Sequence, residues 1–304
     1  MSEFPLHLSA FRALQLQYQE KYRNGSGRAQ SMISPPAEKY LNTIFYLQST
    51  LSLSTDCDLT PVPWPTHPQR ACRRESSLYA ILALDDDCLQ YTYGTTTQIT
   101  MFIHATATLF RSISYYASEG GGVPESLLQA IRNLSEKVDA WSIDLENIIN
   151  FPSVEMGKVM RMHILAFHNA TCIFVLTHLI LPLSADPEAR QTLSGQIRFH
   201  SSQSLSRLQS IEDIKQQTSR VFQHQTASIL WPGFIASCEA AQEDRPGWIA
   251  WWEQMLTYRI GNIASLYETV VDVWHLADRW QNSSSSLPAW RMLLREKGRV
   301  IIAL

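Results

Sequence analysis

Cysteine is scarce and badly placed for structural bonding. The 304 residues hold five (Cys57, Cys72, Cys88, Cys172 and Cys238), and no two stand as C-x-x-C. An odd, scattered set argues against disulfide staples and zinc ribbons alike and fits a reducing, intracellular compartment. Charge is scarce as well: 17% of residues are Asp, Glu, Lys or Arg, and the net charge is −3. Such a chain has no broad basic surface to neutralise a nucleic-acid backbone, so no direct nucleic-acid binding is expected. The pair Arg73-Arg74 with Arg70 reads as a solvated loop. No G-x-S-x-G elbow is present to anchor a hydrolase nucleophile. Gly120 to Gly122 lacks the preceding strand and following Lys-Ser/Thr of a phosphate loop. Residues 1–20 include Glu3, His7, Arg12 and Glu20 and carry no apolar leader core. The longest apolar-rich run, Cys172 to Leu183, is broken by Thr177, His178 and Pro182. It falls short of the ~20 residues of a membrane span, so no membrane partner is expected. No stretch shows strand alternation.

What the chain does have is apolar and aromatic mass: 45% hydrophobic residues and nine Trp. That is enough to bury a sizeable core, and the periodicity is helical throughout. Residues 8–22 read as an amphipathic helix, 23–36 as a Gly/Ser/Pro linker, and about 37–51 as a second helix. Residues 54–74, with Pro61, Pro63, Pro65 and Pro68, read as a long loop. Helices follow over 95–118, from Pro124 to about Ile148, over 153–181 (the most apolar), and over 187–225, polar and solvent-facing on one side. Asp244 to Pro246 restarts the chain ahead of Trp248, Trp251 and Trp252. Gly261 and Asn262 read as a helix stop and the next cap, and Ser283 to Ser286 as a link to a last helix. The fold class is all-α, with residues 1–75 as N-terminal helices, linker and Pro-rich loop, and 76–304 as a helical domain.

One stretch stands apart. Trp231 to Ala241, WPGFIASCEAA, is apolar and carries a single carboxylate, Glu239. Pro232 suits a first helical turn. Helical steps put Trp231, Phe234 and Cys238 on one face, with Ile235 and Glu239 beside it. This stretch resembles the WP-x-F-x-A-x-x-EA signature of the fungal-specific transcription factor domain, the regulatory region that usually follows a binuclear zinc-cluster DNA reader. Gly94 before a long helix, His163 to Phe174 (HILAFHNATCIF), and Gly261-Asn262 before a helix ending near Trp274 resemble other parts of that family. The resemblance implies an all-helical domain and a role in transcription, often ligand-responsive. The zinc cluster itself is missing from these residues. Either it belongs to an omitted upstream segment, or the chain works without one.

No metal or cofactor is expected. His163 and His168 are five apart, which splits them around a helix rather than giving the i, i+4 spacing of helical zinc ligands. Asp85-Asp86-Asp87 is similar to the aspartate-rich magnesium motif of terpene cyclases, but Leu89 stands where a second-turn carboxylate would be. A solvated acidic helix end is the better reading. The remaining chemistry lies in polar side chains within apolar helices: His104, His163, His168, Asn169, His178 and Glu239. One reading makes each a hydrogen-bonded core group. The other brings some of them to an aromatic-lined cavity between helices. In that case His168, Glu239 and His163 are the catalytic candidates, and Tyr115, Asn169, Trp231, Trp248 and Trp252 bind the substrate.

Two functions follow. The first is a cofactor-independent cyclase or isomerase, pericyclic and Diels–Alderase-like, acting on an apolar natural-product intermediate of fungal secondary metabolism by orientation and hydrogen bonding. The second is a ligand-responsive transcriptional regulator working through a partner or an omitted zinc cluster. Both take a small apolar molecule as partner, admit a homodimer, and place the chain in the cytoplasm or nucleus.

Overall fold

The computed structural model describes residues 35–56, 60–65, 84–146, 148–218, 230–259, 262–279 and 288–297. The helix expected over 8–22, Cys57, Cys72, the Arg70 to Arg74 loop, Gly261, the 283–286 link and the C-terminal tail lie outside these residues. Among the described residues every regular element is helical: α1 Pro35–Thr55, α2 Asp86–Cys88, α3 Thr97–Ser118, α4 Glu125–Asp139, α5 Val154–Val175, α6 Pro187–Gln217, α7 Leu230–Cys238, α8 Arg245–Leu256, α9 Ile263–Arg279 and α10 Ala289–Lys297. The all-α expectation holds. Helix α1 starts two residues earlier and runs four further than the sequence suggested, and α4 stops at Asp139 rather than near Ile148.

Helix α5 is the axis. Ser153 caps it, its Oγ accepting from Met156 N at 3.1 Å. Its apolar residues face every direction, so Val159, Ile164, Phe167, Ala170 and Phe174 are all buried. Beyond Val175 the ladder widens into a π segment, Leu176–Ile180, and then tightens into a 3₁₀ turn, Leu181–Leu183. Pro182 is the cause: it brings no N–H and crowds the carbonyl four residues back. The stretch Val154–Leu183 is long and apolar enough to cross a membrane by length and composition, and 67% of its most apolar window is buried within the fold.

Helix α6 returns antiparallel along α5 after a short link. Asp186 caps it, accepting from Glu188 N and Ala189 N at 3.2 Å each, with Pro187 at its first position. Helix α3 packs on α1, α4 and α5. A second apolar cluster fills the space between α3, α4 and the end of α5, with Phe102, Phe110, Leu127, Ile131, Cys172 and Leu179 buried in it.

Helix α7 crosses the main cluster, and all nine of its residues are buried. Trp231 stacks on Phe167 with ring centres 5.6 Å apart. Helix α8 turns Trp248, Trp251, Trp252 and Met255 inward at helical spacing. Gly233 lets α7 meet α8: a Cβ there would lie 2.3 Å from Trp251 Cη2. Helices α9 and α10 close the outer side.

Gly233→Ala should therefore destabilise the fold by ~1–3 kcal/mol, the usual range for overpacking a filled core. Urea denaturation would measure it, and an unchanged midpoint would mean that Trp251 can swing aside freely.

Candidate functional site

The three proposed cavity-lining tryptophans are packed into the core, two of them held by side-chain hydrogen bonds as well. Trp231 Nε1 donates to Ser54 Oγ at 2.9 Å and ties α7 to the end of α1. Trp252 Nε1 donates to Ser237 Oγ at 3.2 Å, and its ring stacks on Tyr267 at 6.0 Å. Trp248 is fully buried and edge-on to Trp251 at 5.7 Å, with Nε1 unpartnered among the described residues. Tyr115 sits apart near the end of α3, edge-on to Tyr116.

The polar candidates go to different neighbours. His163 is 2% exposed, and neither ring nitrogen has a hydrogen-bond partner among the described residues. Burial pushes it well below the ordinary histidine range, and nearby Lys215 adds to the shift, so the ring is neutral. His168 points to the end of α4. Its Nε2 donates to Val138 O at 2.9 Å, and its ring stacks on Trp141 at 4.3 Å. Asn169 bonds Leu165 O through Nδ2 and His200 Nδ1 through Oδ1, both at 3.0 Å. Burial and His168 bring His200 down to about 4.

Glu239 lies just past the end of α7, because the helix stops at Cys238. The residue is half-buried, and its carboxylate has no hydrogen bond or ion pair among the described residues. Burial pushes it from the ordinary 4.5 up to about 7. No hydrogen bond, ion pair or ring contact joins any two of His163, His168 and Glu239. The structure brings His168 and Asn169 together around His200 and leaves His163, Glu239 and Tyr115 in separate surroundings.

The His168 neighbourhood has the residue types of a thiol triad, with Cys172 Sγ 3.6 Å from His168 Nε2 and Asp139 nearby. Its chemistry argues otherwise. Burial raises the Cys172 thiol to about 12, His168 Nε2 is committed to a carbonyl, and burial lowers the ring's basicity. A reactive cysteine needs the reverse shifts. The aspartate run is also structural. Asp85 caps Cys88 N, and Asp86 accepts from Thr97 N at 2.8 Å and Gln90 Nε2 at 2.7 Å. No group of three His, Cys, Asp or Glu able to hold a metal occurs among the described residues.

Two networks escaped the sequence reading. Arg291 of α10 is 4% exposed. Its Nε donates to His178 Nε2 at 2.6 Å, its Nη1 to Asp56 O at 2.6 Å, and its Nη2 to Ser54 O. Since Nε2 accepts, His178 carries its proton on Nδ1 and donates to Phe174 O at 3.0 Å. The guanidinium also covers Phe110 and Trp290, 4.8 and 4.6 Å from the ring centres. In the second network Lys215 pairs with Glu212 at 3.0 Å, both side chains almost fully buried. Tyr258 donates its hydroxyl to the same carboxylate from the end of α8.

The full chain can now be set against known families. The fungal specific transcription factor domain matches residues 1–302. The chain belongs to that family. The match includes residues 1–75 as well as the helical region that carries WPGFIASCEA. No curated protein and no solved structure matches the chain. Within this fungal transcription factor domain, the WPGFIASCEA stretch is α7 and its exit. Its Trp, Gly and Ser residues serve packing, and Glu239 has no hydrogen-bond or ion-pair partner among the described residues.

Glu239 gives this domain a pH dependence of stability. Folding favours its protonated form, so the unfolded chain releases the proton first. The contribution is intact below about pH 4.5 and is lost as the pH rises to about 7. Glu239→Gln should match the wild type near pH 4 and exceed it by ~2 kcal/mol at pH 8, allowing for residual solvent access. Denaturant midpoints at the two pH values decide this; equal gaps would mean that the carboxylate is solvated.

Proposed function

We propose that the chain is a regulatory domain that alters transcription in response to a small apolar molecule. It acts through a protein partner or through a DNA reader on another stretch of polypeptide. The carrying observation is the family match across residues 1–302. The charge balance supports an indirect mode of action: with a net charge of −3 and no closely spaced set of six cysteines in the 304 residues, the domain needs another protein surface to reach DNA. This role belongs inside the cell, in the nucleus or cytoplasm.

The cyclase or isomerase reading draws less support from the site. It asks His163, His168 and Glu239 to act on one substrate, yet the first is sealed beside Lys215, the second is bonded to the end of α4, and the third lies beyond α7. Catalysis by orientation needs its donors converging within hydrogen-bond reach of one reacting group.

Fusion of residues 1–304 to a heterologous DNA-binding module tests the proposal. The fusion should change expression of a reporter carrying the module's sites, and Trp231→Ala, which opens the core at the α1–α7 contact, should abolish the change. A folded, nuclear fusion with reporter output equal to that of the module alone would overturn it.

A further inference from the structure

The cleft between α4, the end of α5 and the first turns of α6 has the makings of a ligand site. It is open to solvent and has a volume of about 490 Å³, within the range of roughly 300–1,000 Å³ typical of small-molecule sites. Leu128 and Ile131 of α4, Ile180 and Leu183 from the end of α5, and Leu193 of α6 supply an apolar lining. Arg132 is the one charged residue that lines it. Its guanidinium is engaged on one side only: Nη2 meets Glu125 and, at 3.1 Å, Gln129 Oε1. Its Nε and Nη1 make no hydrogen bond among the described residues. The pair with Glu125 is solvent-exposed, with 51% and 75% of the two side chains accessible. Such pairs hold weakly and exchange readily.

We infer that this cleft binds an apolar molecule bearing a single carboxylate, its hydrocarbon body against Leu128, Ile180 and Leu193 and one acid oxygen accepting from Nη1 of Arg132. The charge pattern selects this occupant. A neutral apolar molecule would leave the Nη1 donor unused, whereas a carboxylate oxygen makes a charge-assisted hydrogen bond there while Nη2 stays with Glu125. A second acid group would only add to the repulsion from Glu125, which shares the same cation. The site also has a mechanical connection. Ile180 closes the π segment whose His178 accepts from Arg291, so the cleft wall is two residues from the contact that joins α5, α1 and α10. Binding stands on the cleft alone; only the effect of occupancy rests on the regulatory role proposed above.

The test uses the full chain, with dodecanoate and dodecanol as probes below their aggregation limits, titrated by calorimetry. Dodecanoate should bind one per chain, about tenfold tighter than dodecanol, the difference one charge-assisted hydrogen bond supports. Arg132→Ala, an exposed change, should remove that preference and leave dodecanol binding unaltered. Leu193→Trp, which fills the cleft, should abolish binding of both. If that variant misfolds by circular dichroism, Thr192→Trp on the exposed rim takes its place. Equal affinity for acid and alcohol, wild-type binding by the filled variants, or no binding of either probe would each overturn the inference. A chain that binds dodecanoate yet moves no reporter refutes the regulatory role alone, and a chain that moves the reporter without binding refutes the cleft alone.

Discussion

Helix α7 has no solvent face, and the rest of the core is arranged to meet that condition. A nine-residue helix leaves backbone groups at both ends without intrahelical partners, and burial makes each of them costly to strand. Neighbouring helices supply the answers. Ser201 of α6 donates to Ala236 O at 2.8 Å, and Trp274 of α9 donates to Ser237 O at 2.7 Å. Ser237 Oγ accepts from Trp252 of α8, and Trp231 reaches back to Ser54 of α1. Four helices are thereby fixed to one short segment by directional contacts, and apolar packing around α5 fills the space between. Gly233 is part of the same solution, since only a missing Cβ admits the Trp251 ring.

Burial also governs the chemistry of the polar side chains. Arg291 and the Glu212–Lys215 pair are each surrounded by acceptors, a counter-charge or aromatic faces. The histidines yield: His163 and His178 are neutral, and His200 is shifted to about 4. A buried ion pair within α6, held to the end of α8 by Tyr258, adds little net stability, because desolvation offsets the Coulomb gain. It does fix the register of α8 on α6, where a slide would take the Tyr258 hydroxyl away from the Glu212 carboxylate.

Much of this architecture was legible in the sequence because it depends on local rules. Asp186-Pro187, Pro232 and Pro246 mark helix starts, and the apolar run through Val159 to Phe174 marks the axis. The misreadings arose where distant residues compete for a backbone group. Helical spacing carries on through Ala241, yet Ser237 O, the acceptor that Ala241 N would need, is taken by Trp274. The apolar pattern of α4 continues past Asp139, but Trp141 is drawn onto His168 and bonds Glu146. Glu212 and Lys215 look like a solvated i, i+3 pair on a polar helix. Only Tyr258 and His163, far away in sequence, reveal that they are inside. The candidate site suffered from the same ambiguity. Trp231, Trp248 and Trp252 would give one pattern whether they wall a cavity or pack a core, and the contacts that separate the two possibilities are long-range.

The three tryptophans of α8 have an optical consequence. Trp248, Trp251 and Trp252 stand edge-on in sequence, with ring centres 5.7 and 4.9 Å apart. Indoles this close share their electronic excitations, so they absorb and rotate light as a coupled set. Their bands overlie the helical signal in the ultraviolet, and a helix content taken from that signal alone would be skewed. Trp251 is held against Gly233 of α7, so a change at that contact turns its ring relative to Trp248 and Trp252 and alters the coupled signal.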